Sequence, residues 1–477
     1  MPELPAKPST IASHQLAAIA LDVLATNSAT PRQIAERQAS RWASLLQAAL
    51  GTRYYRQALQ GLDPANIPLT ALPVTDKPAM MQRFAEHVTD PELTLEGLQS
   101  FCADPQRVGQ PYLGRYWVWE SSGSTGQPGL FVQDEAAMAI YDALEGLRRH
   151  SPRPWVRLLD PLYLGERLAF VGATGGHYAS QVSVQRQRKA QPWLASRWRS
   201  FSILQAANAL TEQLEAFGPS IVATYPTAAL LLAELALRDK LHIRPAEVWT
   251  GGETLTPAVR SRIEQGLGCA LRNSYGASEF LPIAWECGRG RLHVNADWVI
   301  LEPVDANHRP VPNGQVSHTT LLTNLANHVQ PLIRFDIGDR ILIEPKACTC
   351  GSALPVLQVQ GRRDDMLVVP GRDGSPVTLL PLALTTVLED QAGLFDFQLR
   401  QLADGDWRVT LGPRAARGTA LRNRYRRVLT DFALAQGATA PRIVICCVDS
   451  LPLSASGKLK RIVAVPAAGR RPGAAAR

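Results

Sequence analysis

Cysteine is scarce, with seven in 477 residues, which excludes a small disulfide-stapled scaffold. Long apolar runs are missing too. The N-terminal stretch "QLAAIALDVLA" is too short to span a bilayer and contains Asp22. No signal peptide is legible, so a cytoplasmic protein without a membrane partner is expected. No Gly-Lys-Ser/Thr closes a Walker A loop, and no dinucleotide fingerprint occurs. No basic patch is interleaved with aromatics, which argues against a nucleic-acid partner. Internal repeats are absent. Nothing fixes the oligomeric state, and a monomer or homodimer is expected.

The chain carries 45% hydrophobic and 19% charged residues, ordinary values for a soluble globular protein with a large core. Its net charge is +8, from 50 basic and 42 acidic residues, part of it in the terminal "GRRPGAAAR". Such a field helps attract polyanionic small molecules. Residues 1–100 read as mostly helical, as in "RQIAERQASRWASLLQAAL". From about residue 110, short apolar strands ("RLAFVGATGG", "SIVATYP", "AEVWTGGE") alternate with helices such as "AALLLAELALRDK". That alternation predicts a layered α/β sheet, with ligands at the C-terminal strand ends. The charged "GRRDDM" at 361–366 marks a boundary. The expected organisation is a large multi-layered α/β N-terminal domain (1–360), a small mobile α+β C-terminal domain (361–465) and a disordered tail (466–477).

The stretch "ESSGSTGQPG" (120–129) follows the apolar run "YWVW" and is rich in glycine and hydroxyl groups. Glycines let backbone N–H groups approach an anion closely, so the turn suits phosphate oxygens. A solvent loop is the plainer alternative. Five further motifs follow in order: "GGETLTP" (251–257), "YGASEF" (275–280), "PLIRFDIGDR" (331–340), "GRRDDM" (361–366) and "LPLSASGKLKR" (451–461). In these six the sequence resembles the adenylate-forming superfamily of acyl-CoA ligases, luciferases and peptide-synthetase adenylation domains. The segments "YYRQAL…LPVTDKPAMMQRF", "GGHYASQ" and "ACTCG" are similar to its phenylacetate–CoA ligase branch. The resemblance covers about residues 30 to 465.

The resemblance implies an ATP-dependent acid–thiol ligase that forms an acyl-AMP and then an acyl-CoA. Its roles carry over residue by residue. Ser122, Gly123, Ser124, Thr125 and Gly126 match the loop holding the β- and γ-phosphates. Gly252 and Glu253 match residues lining the adenine pocket, and Tyr275 the aromatic stacked on adenine. Glu279 matches the carboxylate that helps hold Mg2+, a hard cation suited to oxygen ligands. Asp339 matches the acceptor for both ribose hydroxyls, and Arg362 the arginine near ribose and phosphate. Lys458 matches the catalytic lysine bridging the acyl oxygen and α-phosphate, with Thr125 and Glu279 as its partners in catalysis. Asp364 matches the hinge about which the small domain rotates. Each has a plainer alternative: a packing aromatic for Tyr275, solvated or capping acids for Glu279 and Asp339, a surface lysine for Lys458.

His177, Tyr225, Pro226 and Ala277 are the candidates for the acid pocket, where small residues leave room for a flat ring. An aromatic or heteroaromatic acid is therefore expected, with a structural role as the alternative for His177. Four further residues share one region. Cys287 and His293 form Cys-x5-His, and Cys348 and Cys350 form Cys-x-Cys. Three thiolates and one imidazole would make a closed tetrahedral site for structural Zn2+, with four unrelated residues as the plainer alternative because zinc pairs are usually spaced Cys-x2-Cys or wider.

The sequence also departs from the family pattern. Pro128 is followed by Gly129 rather than lysine or threonine, which removes one phosphate contact. Asp336 and Ile337 replace Arg and Thr, and "LPLS" replaces "LPRS". The segment "LVVPGRDGSPVTLLP" after Met366 differs where the pantetheine arm of CoA is approached. That difference keeps a second reading open, in which the acyl group passes to an amine or a carrier-protein thiol. A third reading is a non-catalytic nucleotide-binding homologue, against which the joint presence of Glu279, Asp339 and Lys458 argues.

Overall fold

The computed structural model describes residues 12–61, 67–121, 128–160, 163–203, 205, 207–362, 366–379, 381–415, 418–453 and 459–464. Ser122, Gly123, Ser124, Thr125, Gly126, Asp364, Lys458 and the segment 466–477 lie outside the described residues.

The chain is an α/β protein built on a nine-stranded mixed sheet. Its parallel half runs Trp198–Ser202, Leu168–Gly172, Ile221–Thr224, Glu247–Thr250 and Ala270–Ala277. These strands are short because most are buried on both faces; "LAFVG" has no exposed residue. The helices Ala207–Phe217, Pro226–Leu237 and Pro257–Leu267 make the crossovers and share one apolar cluster with the strands. Helix Pro257–Leu267 starts at Thr256, whose hydroxyl accepts the amide of Val259, and stops at left-handed Gly268.

Ala270–Ala277 is the joint of the sheet. It runs parallel to Glu247–Thr250 and antiparallel to Phe280–Glu286. Beyond it lie Leu292–Val294, Val356–Arg362 and Asp339–Ile343, all antiparallel. The register shifts between Tyr275 and Ala277, and Gly276 sits in the shift. A β-carbon on Gly276 would lie 1.8 Å from the carbonyl oxygen of Leu281, so this position requires glycine.

Among the described residues, six α-helices lie between Ser13 and Cys102. Helix Pro31–Ala49 opens with a capping box between Thr30 and Gln33. Arg41 on that helix reaches Asp22 on helix Ser13–Thr26 and Asp297 in the body. Asp297 also holds Arg148 through two bonds of 2.7 Å, with both side chains fully buried.

The short helix Phe84–His87 ends on a buried histidine. His87 stacks on Tyr54, ring centroids 4.0 Å apart, and neither ring nitrogen has a hydrogen-bond partner. Burial pushes its pKa down to about 4, with Arg83 adding to the shift and Glu86 opposing it. The folded value lies below the unfolded one of about 6.5, so stability is intact above pH 6.5 and is lost as pH falls towards 4. The loss expected by pH 4 is about 3 kcal/mol. Urea midpoints at pH 7 and pH 4.5 test this: His87→Phe should flatten the acid limb, and an unchanged limb refutes the assignment.

Residues 367–462 form their own core, with Trp407 and Tyr425 at its centre. A four-stranded sheet runs Ile443–Cys447, Trp407–Leu411, Phe397–Gln401, Ile462–Val463, with helices Pro381–Ala392 and Thr419–Ala435 packed together. Thr256 of the large unit donates its hydroxyl to buried Glu389 of the small one, and Glu389 also pairs with Arg461. No helix among the described residues is long and apolar enough to cross a membrane.

Candidate functional site

The turns that follow the strands of the parallel half carry most of the candidate residues. After Glu247–Thr250 the chain turns through Gly252, whose φ of +77° favours glycine, and presents Glu253. After Ile221–Thr224 it passes Tyr225 and starts helix Pro226–Leu237 with Pro226 in the first turn. Tyr225 gives that helix no side-chain cap. Glu253 supplies one from the neighbouring turn: its carboxylate accepts the amide of Thr227 (3.0 Å) and its hydroxyl (3.1 Å). A carboxylate is favoured there by the helix dipole. The same carboxylate accepts the backbone N–H of Leu459 from the small unit at 3.2 Å. Glu253 is therefore a junction between the two units. Tyr225 is buried beside it, and burial, then the Glu253 charge, pushes its phenol up to about 12.

Tyr275, Asp339 and Arg362 form one group. Asp339 and Arg362 face each other in adjacent antiparallel strands, and Arg362 Nη1 donates to Asp339 Oδ1 at 3.0 Å. Tyr275 donates its hydroxyl to Asp339 Oδ2 at 2.6 Å. Burial, reinforced by the Asp339 charge, holds the Tyr275 phenol well above its ordinary value, so it remains a neutral donor. A carboxylate offers about four lone-pair positions. With two taken, Asp339 keeps capacity for two more donors, as many as a ribose diol presents.

Glu279 stands in the turn between Ala270–Ala277, which ends at Ala277, and Phe280–Glu286. Burial raises its carboxyl to about 7, against the lowering influence of Arg362 and Lys77, with Asp339 raising it further. The turn is fixed from both sides. Trp119 Nε1 donates to the Ser278 carbonyl (2.8 Å), and Asn324 Nδ2 donates to the Glu279 carbonyl (2.9 Å).

Trp119 belongs to the hairpin Trp117–Glu120/Leu130–Gln133, which frames the hydroxyl-rich turn. At its neck the Ser121 amide donates to the Gly129 carbonyl, and the Gly129 amide to Ser121 Oγ, both at 2.8 Å. The hairpin thus ties this turn to the one bearing Glu279.

His177 is not directed towards these groups. Its ring is buried edge-on to Phe101, and its Nε2 lies 3.1 Å from the Asp104 carbonyl. Burial lowers its pKa. The neighbouring Tyr178, half-buried, adds a smaller upward influence on Tyr225 after that of Glu253. Asp336, where the pattern departs, accepts Thr319 Oγ1 and the Gly338 amide, and so shapes the turn before Asp339.

The four candidate metal ligands come together. Cys287 follows strand Phe280–Glu286, and left-handed Gly290 returns the chain to His293 on Leu292–Val294. Cys348 and Cys350 precede left-handed Gly351 and strand Val356–Arg362, which pairs with His293. Their ligand atoms all lie within 4.8 Å of one another. Cys287 and Cys348 sulfurs are 3.9 Å apart, and Cys350 Sγ is 3.3 Å from His293 Nε2. Zinc–sulfur bonds of about 2.3 Å in a tetrahedron put sulfurs about 3.8 Å apart, so the spacing fits. His293 Nδ1 is 2.9 Å from the Leu354 carbonyl, which leaves Nε2 facing the cluster.

Sequence reasoning missed the contacts of Thr227, Leu459 and Trp119. A main-chain amide such as that of Leu459 leaves no signal in a sequence.

No family model matches the chain. The phenylacetate-coenzyme A ligase of Thermus thermophilus is 26% identical over 288 residues, 57% of this chain and 59% of that protein. The phenylacetate-coenzyme A ligase of Pseudomonas putida is 25% identical over 334 residues, 63% of this chain and 70% of that protein. The chain thus spans less than two thirds of the Thermus protein it matches. Among solved structures, 2-hydroxyisobutyryl-CoA ligase in the postadenylation state superposes with a TM-score of 0.68 at 18% identity, covering 92% of this chain and 91% of that one. The same enzyme in the thioesterification state gives 0.54 at 19% identity, with coverage of 92% and 91%.

Proposed function

For a chain with the fold of the adenylate-forming enzymes and sequence similarity to phenylacetate–CoA ligases, we propose ATP-dependent activation of a carboxylic acid to an acyl-AMP, followed by transfer to CoA. An aromatic or heteroaromatic acid is the substrate class favoured by Ala277 and the glycines near Tyr225. The observation that carries the reading is the bond from Leu459 of the small unit to Glu253 of the large one. It joins Leu459, next in sequence to Lys458, to the turn after Glu247–Thr250, the strand beside the one that leads to Glu279. The better overlay on the postadenylation than on the thioesterification arrangement supports reading these contacts as those of the adenylating state.

A carboxylate is a poor electrophile, and joining it to AMP supplies a good leaving group. The protein has to align that carboxylate with the α-phosphorus and neutralise the charge that develops. In this reading Asp339 holds the ribose, Tyr275 and Gly252 border the adenine, and Tyr225, Pro226 and Ala277 shape the acid pocket. Glu279 would hold Mg2+, which supplies charge neutralisation for the triphosphate when bound. The residues 122–126 would cradle the β- and γ-phosphates, Lys458 would bridge the acyl oxygen and α-phosphate, and Asp364 would be the hinge for release of the small unit.

The test is pyrophosphate release across a panel of aromatic and heteroaromatic acids, with and without CoA. The expected result is acid-dependent release with a thioester product. Release without any thioester transfers the second step to an amine or carrier thiol, and no release from any acid removes the enzyme reading.

We also infer that Cys287, His293, Cys348 and Cys350 hold a structural zinc ion. All four positions of a tetrahedron are filled by protein, so none is left for a reacting water. Purified protein is expected to contain about one equivalent, and Cys287→Ser to lose it together with thermal stability. Less than about 0.2 equivalents in the unmutated protein rejects the site.

A further inference from the structure

Two hydrogen bonds between the units share one plan. In each, a carboxylate is anchored on its own unit and takes a neutral donor from the other. Glu253 of the large unit is held by the Thr227 amide and hydroxyl, and accepts the Leu459 amide of the small unit. Glu389 of the small unit is held by Arg461, and accepts the Thr256 hydroxyl of the large unit. Parting the units would break neither the Glu389–Arg461 ion pair nor the cap that Glu253 gives helix Pro226–Leu237. No charge is stranded on either side, as a contact that has to open and close requires.

The Glu389 half is well enclosed. Thr256 and Glu389 are each 2% exposed, so their bond is shielded from water. A hydroxyl has one donor and two acceptor positions. Thr256 Oγ1 accepts the Val259 amide at 3.3 Å, as the cap of helix Pro257–Leu267, and still donates to Glu389. Arg461 carries the contact further into the small unit, where its Nη2 donates to the Phe395 carbonyl at 2.6 Å. Phe395, half-buried, packs against the apolar cluster of the large unit that includes Leu230 and Val259. A groove of about 440 Å³, with Leu230, Ala258, Phe395 and Arg414 in its walls, opens between the two units there. Packing at this seam is incomplete, so the buried bond beside it weighs on whether the units stay together.

We propose that Glu389 is a positioning residue that selects the adenylating arrangement, with Thr256 as the catch it engages on the large unit. This role rests on the adenylating reading above. The bond exists only while the units stand as described. Weakening it therefore moves the balance between arrangements and leaves the chemistry of each untouched.

The test is to measure the two half-reactions separately, together with amide exchange at Leu459, in the full chain. Thr256→Asp keeps an acceptor for the Val259 amide and sets a second carboxylate against Glu389. It is expected to slow acid-dependent pyrophosphate release about 10- to 100-fold, and to leave thioester formation from supplied acyl-adenylate and CoA within about threefold. Exchange at Leu459 should rise at least about tenfold. Thr256→Ser keeps the donor and should stay within about twofold in both steps. Thr256→Asp combined with Glu389→Gln leaves one carboxylate facing one amide, and should recover the lost rate by at least about fivefold. Equal loss in both half-reactions, an unchanged rate or exchange in Thr256→Asp, or no recovery in the double variant overturns the role of Glu389 and leaves adenylation standing. An unmutated protein that releases no pyrophosphate with any acid overturns the adenylating reading, and the selecting role with it.

Discussion

Lys458→Ala is expected to slow acid-dependent pyrophosphate release by about three orders of magnitude, with ATP binding largely retained. The reason is mechanical as well as electrostatic. Among the described residues, the chain that follows Lys458 in the sequence is held by several contacts, of which three matter here. The Leu459 amide meets Glu253, Arg461 meets Glu389 beneath Thr256, and Ile462–Val463 pairs with Phe397–Gln401. Under the proposed function, such a tether would hold the lysine against a developing charge in this arrangement of the units. The second half-reaction of that proposal would not need it. Thioester formation from supplied acyl-adenylate and CoA should therefore change by less than about threefold in Lys458→Ala. Glu253→Gln, which keeps an acceptor and loses the charge, should slow adenylation about tenfold and spare the thioester step. Single-turnover measurements of each half-reaction decide the matter. Equal loss in both would mean that Lys458 acts through folding or general binding, and the division of labour would be abandoned.

Asp297→Ala is expected to destabilise the large unit by about 3–5 kcal/mol, the effect of stranding a buried charge by removing its partner. Asp297 is fully buried and holds Arg148, equally buried, through two bonds, and Arg41 through a third at 3.1 Å. Removing it leaves two guanidinium groups in the interior. Asn295 retains one bond to Arg148 at 2.7 Å and cannot neutralise it. The network also ties helices Ser13–Thr26 and Pro31–Ala49 to the body, through Asp22. The loss should therefore appear as earlier melting of the large unit and as proteolysis near residue 50. A melting temperature within about 2 °C of the unmutated protein would show that the site relaxes and admits water.

The layered architecture was legible because short apolar strands, turn residues and helices repeat in order between residues 168 and 277. A parallel sheet buried on both faces leaves that pattern in the chain. The charged stretch at 361–366 was read as a boundary, and an apolar cluster separate from the others runs from Leu367 to Ile462. The cysteine cluster was also readable, because both halves sit in turns next to strands that pair with one another. Some contacts of the candidate residues were not legible. Glu253 is a cap for the helix after Tyr225 and the acceptor for Leu459. His177 packs against Phe101 and Asp104. Both sets of partners are remote in sequence and leave no local trace.

By itself the sequence determined the α/β class, the order of the elements and the residue types gathered at the strand ends. It could do so because periodicity and turn chemistry are local properties, written within a dozen residues. Only the tertiary structure decided which charges meet. It paired Tyr275 and Arg362 on Asp339, raised Glu279 towards neutrality by burial and laid Lys77 along Gly129. Desolvation and Coulomb interaction depend on distance and burial through space, and residues separated by 64, 23 or 52 positions acquire those only when the sheet closes around them.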